Sequence, residues 1–156
     1  MLIPYPANAE TRAAFSFFLR LVAFVILLKV ATYGAWYGSA GWDEAFVNER
    51  TFSLSFGWFN WGSLISWSFY LIFFFALGLL VASSFGPPHA TWWAVALGLA
   101  YGLLSLQHSG HFFQPGDSWG AYVFAYGTYA MPALGSLCGA LAAKLLARRH
   151  ITHLGA

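Results

Sequence analysis

The residues best suited to chemistry in this sequence are His108 and His111, in the run Gln107-His108-Ser109-Gly110-His111. On a helix, positions i and i+3 share a face, so both imidazoles would point the same way and could share a metal ion. Asp117, with Glu44 or Glu49 from an earlier stretch, would extend the ligand set to three or four. Two features weigh against a metal. Gly110 weakens the helix this geometry needs, and a hydroxylase- or desaturase-type centre needs several histidine clusters where this chain has one. His108 and His111 are the candidate metal pair; hydrogen bonding at a membrane surface is the simpler expectation for both. A haem would need axial histidines at one depth on facing helices. His89 follows Pro87 and Pro88, and His150 and His153 lie in the C-terminal tail, so that geometry is poor.

Arg20 and Lys29 are the least comfortable residues, because both lie inside a long apolar segment. Nine positions at about 100° each set them on opposite faces of a helix. A charge at the bilayer centre costs about 2.5–3.5 kcal/mol on insertion scales, and less if the side chain snorkels. The acids are Glu10, Asp43, Glu44, Glu49 and Asp117, and none lies within an expected membrane segment. A mid-membrane ion pair within the chain is therefore not available. Snorkelling is the expected answer, Arg20 toward the inner surface and Lys29 toward the outer. The other outlets for Lys29 are hydroxyls or carbonyls, a lipid phosphate, or an acid from a second chain.

Other catalytic chemistry has little support. Ser63, Ser66 and Ser68 have no base beside them, and serine without a base is a packing residue. Cys138 is a single cysteine, which forms no intrachain disulfide or CxxC pair; it is expected as a small core residue. No carboxylate lies in a membrane segment, which argues against proton- or cation-coupled transport. An anion or neutral-solute path through Arg20 or Lys29 stays open.

The elements that must position these residues follow from composition. Of 156 residues, 60% are hydrophobic and 8% charged, whereas a soluble domain carries about 25% charge. A mean hydropathy of +0.64 agrees, and the bilayer is the natural solvent for such a chain. The eight Trp suit several helix ends crossing membrane–water interfaces. A net charge of +2 gives no reason to expect nucleic acid as a partner. Apolar runs predict an all-α membrane bundle of four transmembrane helices, over about 13–37, 61–83, 92–108 and 119–146, in one membrane domain. Gly38, Gly41 and the charges from Asp43 to Arg50 are expected to end the first helix. The Gly86-Pro87-Pro88 turn should end the second, and Pro115-Gly116 should separate the third from the fourth. Lys29 interrupts the apolar run before any small-residue cleavage site, so the first segment is expected to be kept rather than cleaved as a signal peptide.

Arg12 before the first helix and Lys144, Arg148 and Arg149 at the end of the fourth place both termini in the cytoplasm by the positive-inside rule. Small residues at steps of four mark packing faces: Ala94, Gly98 and Gly102 on the third helix, Gly135, Gly139 and Ala143 on the fourth. Sequential antiparallel helices carrying such stripes are expected to pack them on each other. Pro132 falls within the fourth helix, where it should kink the helix and free the Thr128 carbonyl. With no catalytic set and a charge lacking an intrachain partner, the chain reads as a small non-catalytic subunit of a larger membrane complex, in a bacterial inner membrane. Its partners would be lipids and other membrane subunits or further copies of itself. The alternatives are a bundle binding quinone, haem or pigment, or a small homo-oligomeric transporter or channel. The sequence names no cofactor.

Overall fold

The computed structural model describes residues 9–47, 55–56, 59–85, 89–109 and 119–154, with side chains over 10–47, 61–85, 89–107 and 126–147. Among these residues are four α-helices: α1 (Ala9–Phe46), α2 (Trp61–Phe85), α3 (Ala90–Ser109) and α4 (Trp119–Leu154). A short antiparallel ladder pairs β1 (Ser55–Phe56) with β2 (Phe59–Asn60). Three helices are long and apolar enough to cross a membrane, over Glu10–Phe46, Trp61–Phe85 and Tyr126–Ala147, which marks the chain as a membrane protein. The ladder is the one departure from an all-helical fold among the described residues, and β2 lies beside α2 and α4.

Cross-helix approaches give the chain direction. Gly34 and Gly38 of α1 meet Phe73 and Phe69 of α2, and Trp42 meets Ile65, so α1 and α2 are antiparallel. Gly98 meets Pro132 and Gly102 meets Tyr129, so α3 and α4 are antiparallel too. Gly135 meets Leu71 and Gly139 meets Phe75, which makes α2 and α4 parallel. Direction therefore alternates along the chain, and α1 begins at the end of the molecule where α4 finishes.

The densest packing is between α2 and α4, then between α3 and α4; α1 lies against α2 and α3. Among the described residues Phe74, Leu97, Val81, Pro132 and Ser136 are the largest side chains fully buried. α1 holds to its neighbours through small residues and rings. Ala31 and Ala35 are 0% exposed, and Gly38 leaves room for Phe69, which stacks on Phe73 at 5.5 Å. At the other end Trp93 of α3 sits among Phe17, Phe24 and Phe85 at centroid distances of 6.0, 5.3 and 5.7 Å. Such tilted ring pairs add about 0.5–1.5 kcal/mol each beyond burial.

Several expectations are corrected. α1 does not stop near Tyr37 but runs to Phe46, and its ladder continues where the Val47 amide donates to the Asp43 carbonyl at 2.8 Å. Gly38 is a packing residue rather than a breaker, because α2's ring occupies the space of its missing side chain. Asp43 and Glu44 thus belong to the end of α1 and not to a loop. Acids are unfavourable at a helix C-terminus, and Asp43 is compensated by a 2.8 Å hydrogen bond from the Ser66 hydroxyl. α4 likewise continues past Leu146 to Leu154, through Arg148 and Arg149. Cys138 is exposed rather than a core residue, since it lies about 200° round α4 from the buried Ser136. Pro132 is accommodated inside a continuous α4, and the Thr128 hydroxyl accepts from the Trp67 indole N–H at 3.2 Å.

Candidate functional site

Two charged places stand out, and both are on α1. Lys29 sits about 200° round the helix from Ala31, so the burial of Ala31 and Ala35 against the bundle turns Lys29 outward. It is exposed and lies in a shallow groove of about 730 Å3 with Val25, Ile26, Val30, Tyr33 and Tyr37. Tyr37 is 73% exposed, and Trp36 nearby is 62% exposed. No acid pairs with Lys29 among the described residues. In an α-helix the Cα–Cβ bond tilts toward the N-terminus. Outward snorkelling of Lys29 would run against that tilt, whereas the same tilt carries Arg20 toward the start of α1.

Arg20 lines the second place, a cavity of about 440 Å3 between the start of α1 and the end of α2. Arg12, Ser16 and Arg20 follow one another at i, i+4 spacing and form a column on α1. Ser84 and Phe85 close the cavity from the last turn of α2. The hydroxyls here behave differently from their neighbours. Ser39, Ser68 and Ser83 return theirs to a carbonyl three residues back, and Thr32 to one four residues back. Ser16 and Ser84 make no hydrogen bond to another described residue. The two charges thus reach different surroundings: Arg20 faces a mainly apolar cavity that Arg12, Ser16 and Ser84 also line, at one end of the molecule, and Lys29 faces outward from the bundle.

The glycine stripes are placed as follows. Gly98 and Gly102 of α3 face α4, where a Cβ on Gly98 would lie 2.5 Å from the Pro132 carbonyl oxygen and 2.6 Å from the Ala133 Cα. Gly135 and Gly139 face α2 instead, against the backbone of Leu71 and Phe75. The two stripes therefore do not pack on each other: α4 uses one face for α3 and another for α2. Ala94 is fully buried and Ala143 is half-buried. Sequence reading missed Gly78, which abuts the Ser136 backbone, and Gly127, which abuts the Trp67 ring. It also missed the small face of α1, although Ala31 with Ala35 and Gly34 with Gly38 stand at the same steps of four.

At the far end of α1, Trp42 donates its indole N–H to the Ile65 carbonyl at 3.1 Å beside the Asp43–Ser66 bond. These bonds fasten the end of α1 to the first turns of α2. Thr91 and Ser136 bury hydroxyl oxygens that find no hydrogen-bond partner among the described residues. The candidate metal pair lies outside what the structure describes: the backbone of His108 is within α3, but its side chain and all of His111 fall beyond the described residues. Among the described residues no three His, Cys, Asp or Glu gather as a metal site. No protein-family model, curated protein or solved structure matches the chain.

Proposed function

We propose that the chain is a small non-catalytic subunit of a larger assembly in a bacterial inner membrane, docked to a different protein chain through the outward face of α1. In this reading it crosses the membrane four times, with both termini in the cytoplasm. α3 is the crossing that composition alone does not mark. Its 20 residues rise about 30 Å, the thickness of a bilayer core. Its glycines also lie against α4 between Tyr129 and Ala133, inside one of the apolar spans, so both helices share a depth.

The observation that carries the docking reading is Lys29, exposed on an apolar helix face with no carboxylate among the described residues to meet it. Lipid tails cannot solvate an ammonium, and its reach toward the outer surface opposes the side-chain tilt. A second copy does not meet the need either. The nearest acid C-terminal to Lys29 is Asp43, fourteen positions on, which is about 21 Å along the helix. A partner helix presenting Asp or Glu within the bilayer satisfies it, and charged residues of that kind pair inside membranes. Val25, Ile26, Val30 and Tyr33 supply the apolar contact around the pair.

The test is the mass of the complex after gentle extraction of the tagged protein from its native membrane, for the parent, Lys29→Arg and Lys29→Met. The parent is expected to carry another membrane chain. Lys29→Met should lower its recovery about tenfold or more, because a buried charge left alone costs 2–5 kcal/mol, while Lys29→Arg should retain it. A bare monomer or a pure homo-oligomer in the parent, or a partner indifferent to Lys29→Met, would overturn the reading.

A further inference from the structure

We propose that the cavity between the start of α1 and the end of α2 binds a phosphate group, supplied by an anionic phospholipid. Arg12, Ser16 and Arg20 line it from α1, and Ser84 from α2. Two guanidinium groups and two hydroxyls form a donor set for phosphate oxygens, and guanidinium matches the phosphate geometry through paired N–H donors. The hydroxyls are free for the task, since neither Ser16 nor Ser84 is bonded to another described residue, while Ser83 next door is bonded to Leu80 at 2.9 Å.

Depth and size favour a lipid over a free ion. Arg12 and Arg20 are eight positions apart, about 12 Å along the helix. The tilt of helical side chains carries both heads toward the start of α1, so the Arg20 head comes back toward Ser16 while the two keep a spacing that suits a headgroup with its glycerol better than a bare phosphate ion. The cavity, at about 440 Å3, is more than ten times the roughly 30 Å3 that a water occupies, so it has room for a headgroup with its glycerol. Phe15, Leu19 and Ala23 continue its wall in apolar material suited to the first carbons of an acyl chain.

Opposing charge is present but smaller. The C-terminal end of α2 presents a partial charge of about −0.5, against the full positive charge of Arg20; Arg12 already has an interaction of its own, and the five N–H donors of a guanidinium leave others for an anion. Glu10 lies two positions before Arg12, about 200° away round α1. In the topology proposed above this end faces the cytoplasm, where anionic headgroups attract basic residues. The site does not depend on what docks at Lys29, which is on the opposite face of α1.

The experiment measures lipid binding to the detergent-purified protein by native mass spectrometry, with phosphatidylglycerol, phosphatidylcholine and inorganic phosphate as probes. Phosphatidylglycerol is expected to bind at one molecule per chain, about tenfold or more tighter than phosphatidylcholine, whose choline cation the arginines repel. Arg12→Gln with Arg20→Gln should weaken it about tenfold or more, and Lys144→Gln should not. Ser84→Leu, which keeps both charges but fills the cavity, should weaken it as well, and it decides the matter if the double variant does not fold. Competition by millimolar inorganic phosphate would make free phosphate the ligand and overturn the lipid source; no competition supports the lipid. Equal binding of the two lipids, or phosphatidylglycerol binding unchanged in the folded double variant, would overturn the site.

Discussion

Gly98→Ala tests whether the close approach of α3 to α4 holds the bundle together. The added Cβ would sit 2.6 Å from the Ala133 Cα and 2.7 Å from its amide nitrogen. Both are backbone atoms, so no rotamer change relieves the contact. Carbon atoms settle at about 3.5–4.0 Å, and α3 would have to withdraw by roughly 1 Å. A gap of that size forfeits a quarter to a half of each dispersion contact, at ~0.1–0.2 kcal/mol per atom pair. Over on the order of twenty pairs along the interface this amounts to about 0.5–2 kcal/mol. Strain from overpacking adds about 1–3 kcal/mol. The matched control is Gly41→Ala on α1, where an added Cβ meets nothing within 4 Å and helix propensity gains up to about 1 kcal/mol. Unfolding of the three proteins in detergent, by heat or by titration with a denaturing detergent, should place Gly98→Ala at least about 2 kcal/mol below Gly41→Ala. A difference under about 0.5 kcal/mol would mean that α3 and α4 are not in backbone contact, and the reasoning would fail.

Ser136→Ala should be neutral or stabilise by about 1 kcal/mol in the same assay, because it removes a buried hydroxyl with no partner and keeps the small volume that Gly78 requires; a loss above about 1 kcal/mol would show that the hydroxyl is bonded. A reporter fused after Ala156 should read cytoplasmic, and a reading on the outer side would remove the four-crossing topology and the inner placement of the Arg12–Arg20 cavity.

Much of the fold was legible because a bilayer leaves few options: apolar runs of sufficient length become helices, and the starts at Trp61 and Trp119 fall where the polar stretches end. The errors have a common cause. Glycine and charge were read as local punctuation for α1, where tertiary contacts decide. Gly38 is held in the helix by the Phe69 ring, and Asp43 by Ser66, and neither partner is visible from the sequence around it. The ladder Ser55–Phe56 with Phe59–Asn60 was missed because each strand is two residues long, too short for alternation to register. α3 shows the converse: the spacing of Gly98 and Gly102 reads as a packing face, and both are buried together with Tyr101.

The charged sites divide in the same way. That Arg20 and Lys29 face opposite directions follows from their spacing on one helix. What each faces does not, because it depends on which side of α1 meets the bundle, and that is set by Ala31, Gly34, Ala35 and Gly38. Ser84 joins Arg12 and Arg20 only because α2 runs antiparallel and ends beside the first turns of α1. The two places therefore differ in what they ask of a ligand. The cavity is lined by donors from two helices, which suits the anionic lipid proposed for it. Lys29 has a single helix face and an apolar surround, where an unpaired ammonium is costly wherever it is held in the bilayer. A lipid can satisfy the first site and not the second, so the same chain is expected to keep its lipid in detergent and to lose partner contact when Lys29 is neutralised.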